Sequence, residues 1–181
     1  MGIYNAAYFV KEQRKNAGTA KQISDIRWSL IRQYCPEATR ILDYGCGCGY
    51  LTAFAPIGTS VDSFDIGIYY NIPYPQTGIQ RERYDVICLF DVMEHVDWDN
   101  SPDIQMKNMI KASDFAFITV PIFTGDDITK WKHYRPGEHL YYFTEESLIM
   151  LLNSYGFSLV YKGYDECPPR INIITFIFRK A

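Results

Sequence analysis

Three glycines at alternate positions follow a short apolar segment early in the chain, and they are the residues best suited to hold a ligand. The stretch reads Ile41-Leu42-Asp43-Tyr44-Gly45-Cys46-Gly47-Cys48-Gly49. Glycine reaches backbone angles closed to other residues and lets a ligand approach the main chain. Asp65 ends the next apolar segment, 20 residues after Gly45, about the interval at which an acid accepts from both hydroxyls of a ribose. Together these residues predict a nucleoside at the carboxyl ends of two neighbouring strands.

The spacing of the glycines separates two classes of cofactor. Dinucleotide enzymes favour Gly-x-Gly-x-x-Gly, where the helix N-terminus meets a pyrophosphate. Here the spacing is Gly45-x-Gly47-x-Gly49, opened by Asp43, and it resembles the Asp-x-Gly-x-Gly-x-Gly loop of class I S-adenosylmethionine-dependent methyltransferases. That cofactor has no pyrophosphate, but it has an ammonium and a sulfonium that an acid at the strand end can help to hold. An NAD-dependent oxidoreductase is the less favoured alternative.

Two later segments tighten the resemblance. Residues 84–96 read YDVICLFDVMEHV, which is similar to the fourth-strand motif F-D-x-V-x-x-x-x-V-L-E-H-V of the branch containing the ubiquinone-biosynthesis O-methyltransferases. Residues 138–157 are similar to the H-L-x-x-F-T-x-x-S-L…L-L-x-x-x-G-F signature that occurs late in the same branch. The three motifs are collinear, and the resemblance covers residues 38–160.

The resemblance implies a seven-stranded Rossmann-like sheet, S-adenosyl-L-methionine as cofactor and S-adenosyl-L-homocysteine as product. By position in the motifs, Gly45, Cys46 and Gly47 would hold the methionine portion, with Asp43 near its amino group. Asp65 would take the ribose hydroxyls, Ile66 would pack on the adenine, and Phe90 and Asp91 would contact the methionine or ribose side of the cofactor.

The segment between Asp65 and Tyr84 departs from the family. Only eighteen residues separate the two, and they include Pro73, Pro75 and Gly78. Family members usually fit a helix, a third strand and a polar partner for the adenine amino group there. We therefore expect an abbreviated third strand and a sheet edge without its outer strand. The short segment also keeps open a second interpretation, a protein that binds S-adenosylmethionine without catalysis.

The three histidines are the candidate catalytic groups. Methyl transfer is an in-line displacement, so positioning can supply most of the acceleration and a base matters only if the acceptor must lose a proton. His95 follows a predicted strand, and the ordinary pKa of histidine suits base work. His133 and His139 lie in the polar stretch 122–143, and because long loops are often lids or binding loops, we expect the acceptor there.

Each of these interpretations has a plainer alternative. Glu94 and His95 could form a polar pair that fixes the start of the next helix, and His139 could be satisfied internally. The stretch 122–143 could be a solvated connection with one buried tryptophan. Glu94 and His95 alone are a poor chelating pair, since metal ligands normally converge from several segments, and no metal site is predicted.

The order of predicted elements specifies the fold class. Helical spacing covers 5–17, 20–35, 49–54, 104–112 and a segment that begins after Thr144 and stops at Gly156, while apolar strands cover 40–44, 60–65, 84–90, 115–120, 157–161 and 172–178. This alternation predicts an α/β fold with a doubly wound, mostly parallel sheet covered on both faces. The last two strands lack a helix between them, which indicates an antiparallel strand near the C-terminus.

Length and composition bound the remaining possibilities. The 181 residues, 48% of them apolar, suit a single domain (1–181) with N-terminal helices at 1–36 and a core at 38–181. The net charge of -3 disfavours nucleic acid and leaves a small-molecule acceptor as the expected partner. The five cysteines show no CxxC spacing, and no signal peptide or membrane span is evident, so we expect a reduced, cytoplasmic protein.

Overall fold

Within the part of the chain that the structure describes, six strands form one mixed sheet. A computed structural model describes residues 6–65, 77–99, 103–166, 170 and 172–181, with side chains from residue 18 onward. The helices are α1 (Ala6–Tyr34), α2 (Tyr50–Ala53), α3 (Ile104–Lys111) and α4 (Glu145–Ser154), and the strands are β1 (Arg40–Tyr44), β2 (Ser60–Phe64), β3 (Tyr84–Phe90), β4 (Ser113–Pro121), β5 (Phe157–Gly163) and β6 (Ile173–Lys180).

The strand order is β2-β1-β3-β4-β6-β5. The first four strands in this order are parallel, whereas β6 runs antiparallel to both β4 and β5. This confirms the doubly wound, mostly parallel sheet and its antiparallel strand near the C-terminus. The chain leaves β1 toward β2 on one side and later returns to β3 on the other. The carboxyl end of β1 therefore lies at the topological switch point, where ligands of such sheets bind.

Both faces of the sheet are covered because its strands alternate two apolar sets of side chains. Val86, Cys88 and Phe90 pack with Trp28 and Ile31 of α1 on one face. Ile87 and Leu89 pack on the other face with the apolar sides of α3 and α4. Helix α4 begins with the predicted cap, a capping box in which the Thr144 and Ser147 side chains each accept from the other's backbone amide.

The N-terminal region corrects one expectation. In place of two helical segments at 5–17 and 20–35, a single helix α1 runs from Ala6 to Tyr34. The helix continues through Gly18, because a glycine in a helix interior costs only about 1 kcal/mol relative to alanine, which is too little to break the helix. The buried indole of Trp28 donates to Leu51 O at 3.0 Å, so α1 is fixed on α2 beside the glycine loop.

The segment after residue 76 runs beside the outer strand β2. Thr77 N and Gly78 N both donate to Ser63 O, at 3.1 and 3.0 Å. Farther along, the buried Asp62 carboxylate accepts from Arg81 and from Tyr84 Oη. Among the described residues no additional strand lies along the chain between β2 and β3, as the short segment predicts. Irregular chain bonds to this part of the β2 edge instead. Ile66 lies outside the described residues.

No helix in the described ranges is both long enough and apolar enough to span a bilayer.

Candidate functional site

The glycine loop is fixed to the ends of two strands. Gly45, Gly47 and Gly49 have φ angles of +83°, +50° and +73°, which side-chain-bearing residues rarely adopt. Gly45 N and Cys46 N both donate to Phe64 O, at 2.7 and 3.0 Å. A Cβ added at Gly45 would overlap the Val92 side chain. The loop is therefore clasped between the end of β2 and the turn that follows β3.

Two acids flank this loop with different electrostatics. Asp43 is 4% exposed, and burial raises its pKa to about 7, with Asp65 adding to the rise and Arg27 opposing it. Asp65 accepts a hydrogen bond from Gly47 N at 2.9 Å through Oδ2. The acid predicted for the ribose thus also holds the glycine loop in shape.

Arg27 of α1 is a site residue that the sequence reasoning missed. Its guanidinium carbon lies 3.9 Å from the ring centroid of Phe90, and its charge acts on Asp43. Its Nε and Nη2 donate to Glu166 at 2.6 and 3.1 Å. No motif surrounds Arg27, and the one signal in the sequence is its place one residue before the buried Trp28 on a helix that packs over the strand ends.

The end of β3 brings Phe90 and Asp91 to the same edge of the sheet. Asp91 has a φ of +59° and its backbone amide donates to Thr119 O at 2.9 Å, so the chain turns sharply there. Its carboxylate accepts from Arg170 Nη2 at 2.6 Å, and the charges of Arg170 and Arg27 lower its pKa. Asp91 therefore lies just past the end of β3 and belongs to an ion-pair cluster, and its contact with the cofactor stays a prediction.

Beyond Asp91, one turn of 3-10 helix (Met93–His95) meets the loop 122–143. Leu140 N and Tyr141 N both donate to Glu94 O, at 2.8 and 3.1 Å. This contact brings the rings of His95 and His139 edge to face, with centroids 5.0 Å apart. The loop is largely irregular, apart from a second 3-10 turn (Ile128–Lys130), as its polar composition predicts.

Hydrogen bonds define the proton positions on the two histidines. His95 Nδ1 lies 2.9 Å from Glu138 O, and because a carbonyl only accepts, Nδ1 carries the proton. His139 Nδ1 is buried and finds no partner among the described residues, so its hydrogen bond to the His133 backbone must use Nε2. Burial and the charge of His95 lower the pKa of His139 to about 4, which leaves Nδ1 with an open lone pair.

Other buried polar atoms lie near His139. Glu94 is 3% exposed, and within the described chain its Oε2 has no hydrogen-bond partner, as is also true of Tyr142 Oη. Burial and the neighbouring Asp91 raise the pKa of Glu94 well above its usual range. One ligand atom each from Glu94, His95 and His139 lie within 4.8 Å of one another. An unmet buried hydrogen bond costs about 1–3 kcal/mol, so this convergence indicates a place for a ligand group or an ion.

Aromatic rings continue from this point along the loop. The ring centroid of Tyr142 lies 6.2 Å from that of His139 and 6.2 Å from that of Trp131. Trp131 also contacts Phe123 at 5.5 Å and the ring of His133 at 5.2 Å. His133 thus contacts the aromatic cluster through its side chain, and it contacts His139 through its own backbone. The structure brings the three histidines into one region, and the absence of a metal stays a prediction.

Comparison with known proteins gives one family match and several similar folds. The model of a methyltransferase domain family matches residues 12–162. Magnesium protoporphyrin IX methyltransferase from Synechocystis PCC 6803, solved with bound S-adenosylhomocysteine, is similar in fold at 18% identity and a TM-score of 0.64, over 100% of this chain and 90% of that one. No curated protein matches in sequence.

Two further solved structures share the fold and differ in acceptor. A Burkholderia thailandensis 1,6-didemethyltoxoflavin-N1-methyltransferase, solved with its acceptor and S-adenosylhomocysteine, is 15% identical with a TM-score of 0.61, over 100% of this chain and 92% of that one. The 16S rRNA methylase ArmA is 12% identical with a TM-score of 0.56, over 99% and 93%. At these identities the likeness concerns the fold alone.

Proposed function

The chain belongs to the methyltransferase domain family, and on that premise we propose that it transfers a methyl group from S-adenosyl-L-methionine to a small-molecule or small exposed acceptor. The observation that carries the proposal is the glycine loop flanked by Asp43 and Asp65 at the switch point of the sheet. This is where a parallel α/β sheet holds a nucleoside ligand.

The residues around the loop fit the cofactor's amino-acid end. An α-amino acid carries an ammonium and a carboxylate on one carbon, and Asp43 with Arg27 offers the complementary pair. Gly45 and Gly47 leave the main chain open beside them. When bound, S-adenosylmethionine supplies a methyl group made electrophilic by the sulfonium charge.

The other predicted cofactor contacts keep their assignments in this proposal. Asp65 takes the ribose hydroxyls while it holds Gly47, and Phe90 flanks the methionine side together with Asp91. Cys46 contributes its backbone to the loop, since burial raises the pKa of its thiol and keeps it neutral. Ile66 is the proposed adenine contact.

We assign the acceptor to the space between Glu94 and His139. One ligand atom of Glu94 and one of His139 lie within 4.8 Å of one another, so the two side chains are close enough to bond to one heteroatom placed between them, because each hydrogen bond spans about 2.8 Å. A hydroxyl oxygen fits, since it donates to the His139 lone pair and accepts from a protonated Glu94. The rings of Tyr142 and Trp131 would face a flat apolar body.

The three histidines then receive different roles. His139 takes the acceptor's proton at Nδ1, because that atom has an open lone pair and its ring is oriented by the His133 backbone. His95 packs against His139 and donates to Glu138 O, so it fixes the ring that acts. His133 contributes its main chain to His139 and its ring to the aromatic cluster.

The finer family assignment and the alternatives bear on this proposal. The EHV and HLYYFT segments support a place in the branch of the ubiquinone-biosynthesis O-methyltransferases. An S-adenosylmethionine-binding protein without catalysis would keep the cofactor loop but would not need the buried unpaired atoms of Glu94 and His139. Membership of the methyltransferase family disfavours the NAD-dependent oxidoreductase.

The proposal is tested by transfer of an isotopically labelled methyl group from S-adenosylmethionine into fractionated metabolite pools. The wild type should label a compound that His139→Asn labels at least tenfold more slowly, because the base is lost while cofactor binding is kept. The control His133→Asn keeps the backbone carbonyl and should lose far less. A protein that binds the cofactor yet labels nothing would support the non-catalytic alternative.

A further inference from the structure

The connection between β5 and β6 contributes a buried acid to the cofactor side of the molecule. Glu166 is 1% exposed, and its carboxylate accepts from two arginines that come from different parts of the chain. Arg27 of α1 donates to both of its oxygens, at 2.6 and 3.1 Å. Arg170, four residues later in the same connection, donates to Oε2 through Nη1.

Asp91 closes these contacts into a ring of four charges. It accepts from Arg170 Nη2 at 2.6 Å, and its Oδ2 lies 3.8 Å from Arg27 Nη2. Two acids and two bases thus alternate, and helix α1, the end of β3 and the β5–β6 connection meet there. Buried charge clusters of this kind gain little net stability over apolar packing, but they hold their members in a defined geometry.

We propose that Glu166 is a positioning residue that holds Arg27 where the carboxylate of the cofactor's amino-acid end binds. This inference rests on the proposed function. The bonds to Glu166 use Nε and Nη2 of Arg27, so the guanidinium is clamped along one edge. Its other edge carries Nη1, which is the group assigned to the ligand carboxylate.

The direction of this clamp follows from the neighbouring charges. Asp91 lies 3.8 Å from Arg27 Nη2, farther than a hydrogen bond, and it would attract the guanidinium once Glu166 loses its charge. The guanidinium carbon of Arg27 also lies 3.9 Å from the ring centroid of Phe90. This stacking restrains the plane of the guanidinium, so that the group can move mainly by sliding parallel to the ring. Glu166 therefore determines how far Arg27 lies from Asp43.

Two ligands separate positioning from a general effect on the fold. S-adenosylhomocysteine has the amino-acid end, whereas 5′-methylthioadenosine has the nucleoside and thioether without it. We expect Glu166→Gln to weaken S-adenosylhomocysteine about tenfold in a calorimetric titration and to change 5′-methylthioadenosine less than twofold. In an Arg27→Ala background, Glu166→Gln should leave the ratio of the two affinities unchanged, because Glu166 acts through Arg27.

Asp62→Asn is the matched control. Asp62 is likewise a buried acid, 5% exposed, and it is paired with an arginine, Arg81, but it lies on β2 away from the arginine cluster. It should lower thermal stability as Glu166→Gln does and leave the affinity ratio at its wild-type value. The 5′-methylthioadenosine titration also reports, in every variant, that the nucleoside site is folded.

Several outcomes would overturn the inference. Equal weakening of both ligands would mean that Glu166 is structural, and tighter S-adenosylhomocysteine binding in Glu166→Gln would mean that it competes with the ligand for Arg27. An additive loss in the Arg27→Ala background would also contradict it. A wild-type protein that binds neither ligand would overturn the proposed function and this inference together, whereas an unchanged ratio overturns this inference alone.

Discussion

Substituting Asp43 by Asn should make the protein more stable at alkaline pH than the wild type. The Asp43 carboxyl is 4% exposed, and its pKa rises from 3.8 to about 7 on folding because burial disfavours the charged form. Asn has nearly the shape of the protonated acid and cannot ionise. The variant therefore removes the titration and leaves the packing unchanged.

The sign and size follow from proton linkage. A folded-state pKa above the unfolded value gives stability that is fully present below pH 3.8 and is lost as pH rises through about 7. Three pKa units at 1.36 kcal/mol each amount to roughly 4 kcal/mol, an upper figure because buried charges recruit water and nearby dipoles. Asp43→Asn should match the wild type near pH 4 and exceed it by up to about 4 kcal/mol at pH 8.

Urea unfolding at a series of pH values measures this difference. Asp85→Asn provides a control in which the pH dependence of stability has the opposite sign. In the wild type, the Asp85 carboxylate accepts from the Arg40 side chain and from the backbone amides of Thr39 and Arg40, and these bonds lower its pKa to about 2. That variant should lose stability above pH 4. A stability difference for Asp43→Asn that does not change with pH, or that favours the wild type at pH 8, would refute the assigned burial of Asp43.

Three further predictions concern the same region. Gly45→Ala should destabilise the fold by about 2–4 kcal/mol, through the left-handed backbone and the overlap with Val92. In a double-mutant cycle of unfolding free energies, Val92→Ala should recover the share of this loss that comes from the overlap. Strictly additive losses would contradict the close packing of the glycine loop against Val92. S-adenosylhomocysteine affinity should rise as pH increases through about 7, since its ammonium favours charged Asp43, and titrations of Asp43→Asn should show no such step. Nitrogen NMR at pH 6 should show His139 neutral with its proton on Nε2. A proton on Nδ1 would contradict the proposed base, and so would a shift of the His139 nitrogen resonances when a divalent metal is added.

Local patterns predicted most of the elements and the shape of the glycine loop. The glycines, the strand before them and Asp65 are close in sequence, and the glycines meet a backbone requirement, a positive φ, that other residue types rarely meet. The helix start after Thr144 and the strand Tyr84–Phe90 were likewise predicted from local patterns, whereas the capping box with Ser147 is seen only in the structure. The extra length of β4, β5 and β6 depends on pairing between strands and is not written in any one segment.

The parts that sequence reasoning missed are non-local. Arg27 and Glu166 are separated by 139 residues, and an ion pair at that distance has no spacing signature. The continuous helix α1 follows from burial of Trp28 and Ile31 against the sheet, which outweighs the weak helix propensity of Gly18. The unpaired atoms of Glu94 and His139 likewise result from how the loop 122–143 folds back on the end of β3.

Calorimetric titration of S-adenosylhomocysteine into the wild type and Asp65→Ala, with NAD as the comparison ligand, tests whether the glycine loop and Asp65 bind S-adenosylmethionine. We expect micromolar binding of S-adenosylhomocysteine, no binding of NAD, and a loss of roughly 1.5–3 kcal/mol in Asp65→Ala, because the variant loses the charge-assisted bonds of the carboxylate. Binding of NAD alone would contradict the S-adenosylmethionine site. Unchanged S-adenosylhomocysteine affinity in Asp65→Ala would mean that the ribose lies elsewhere.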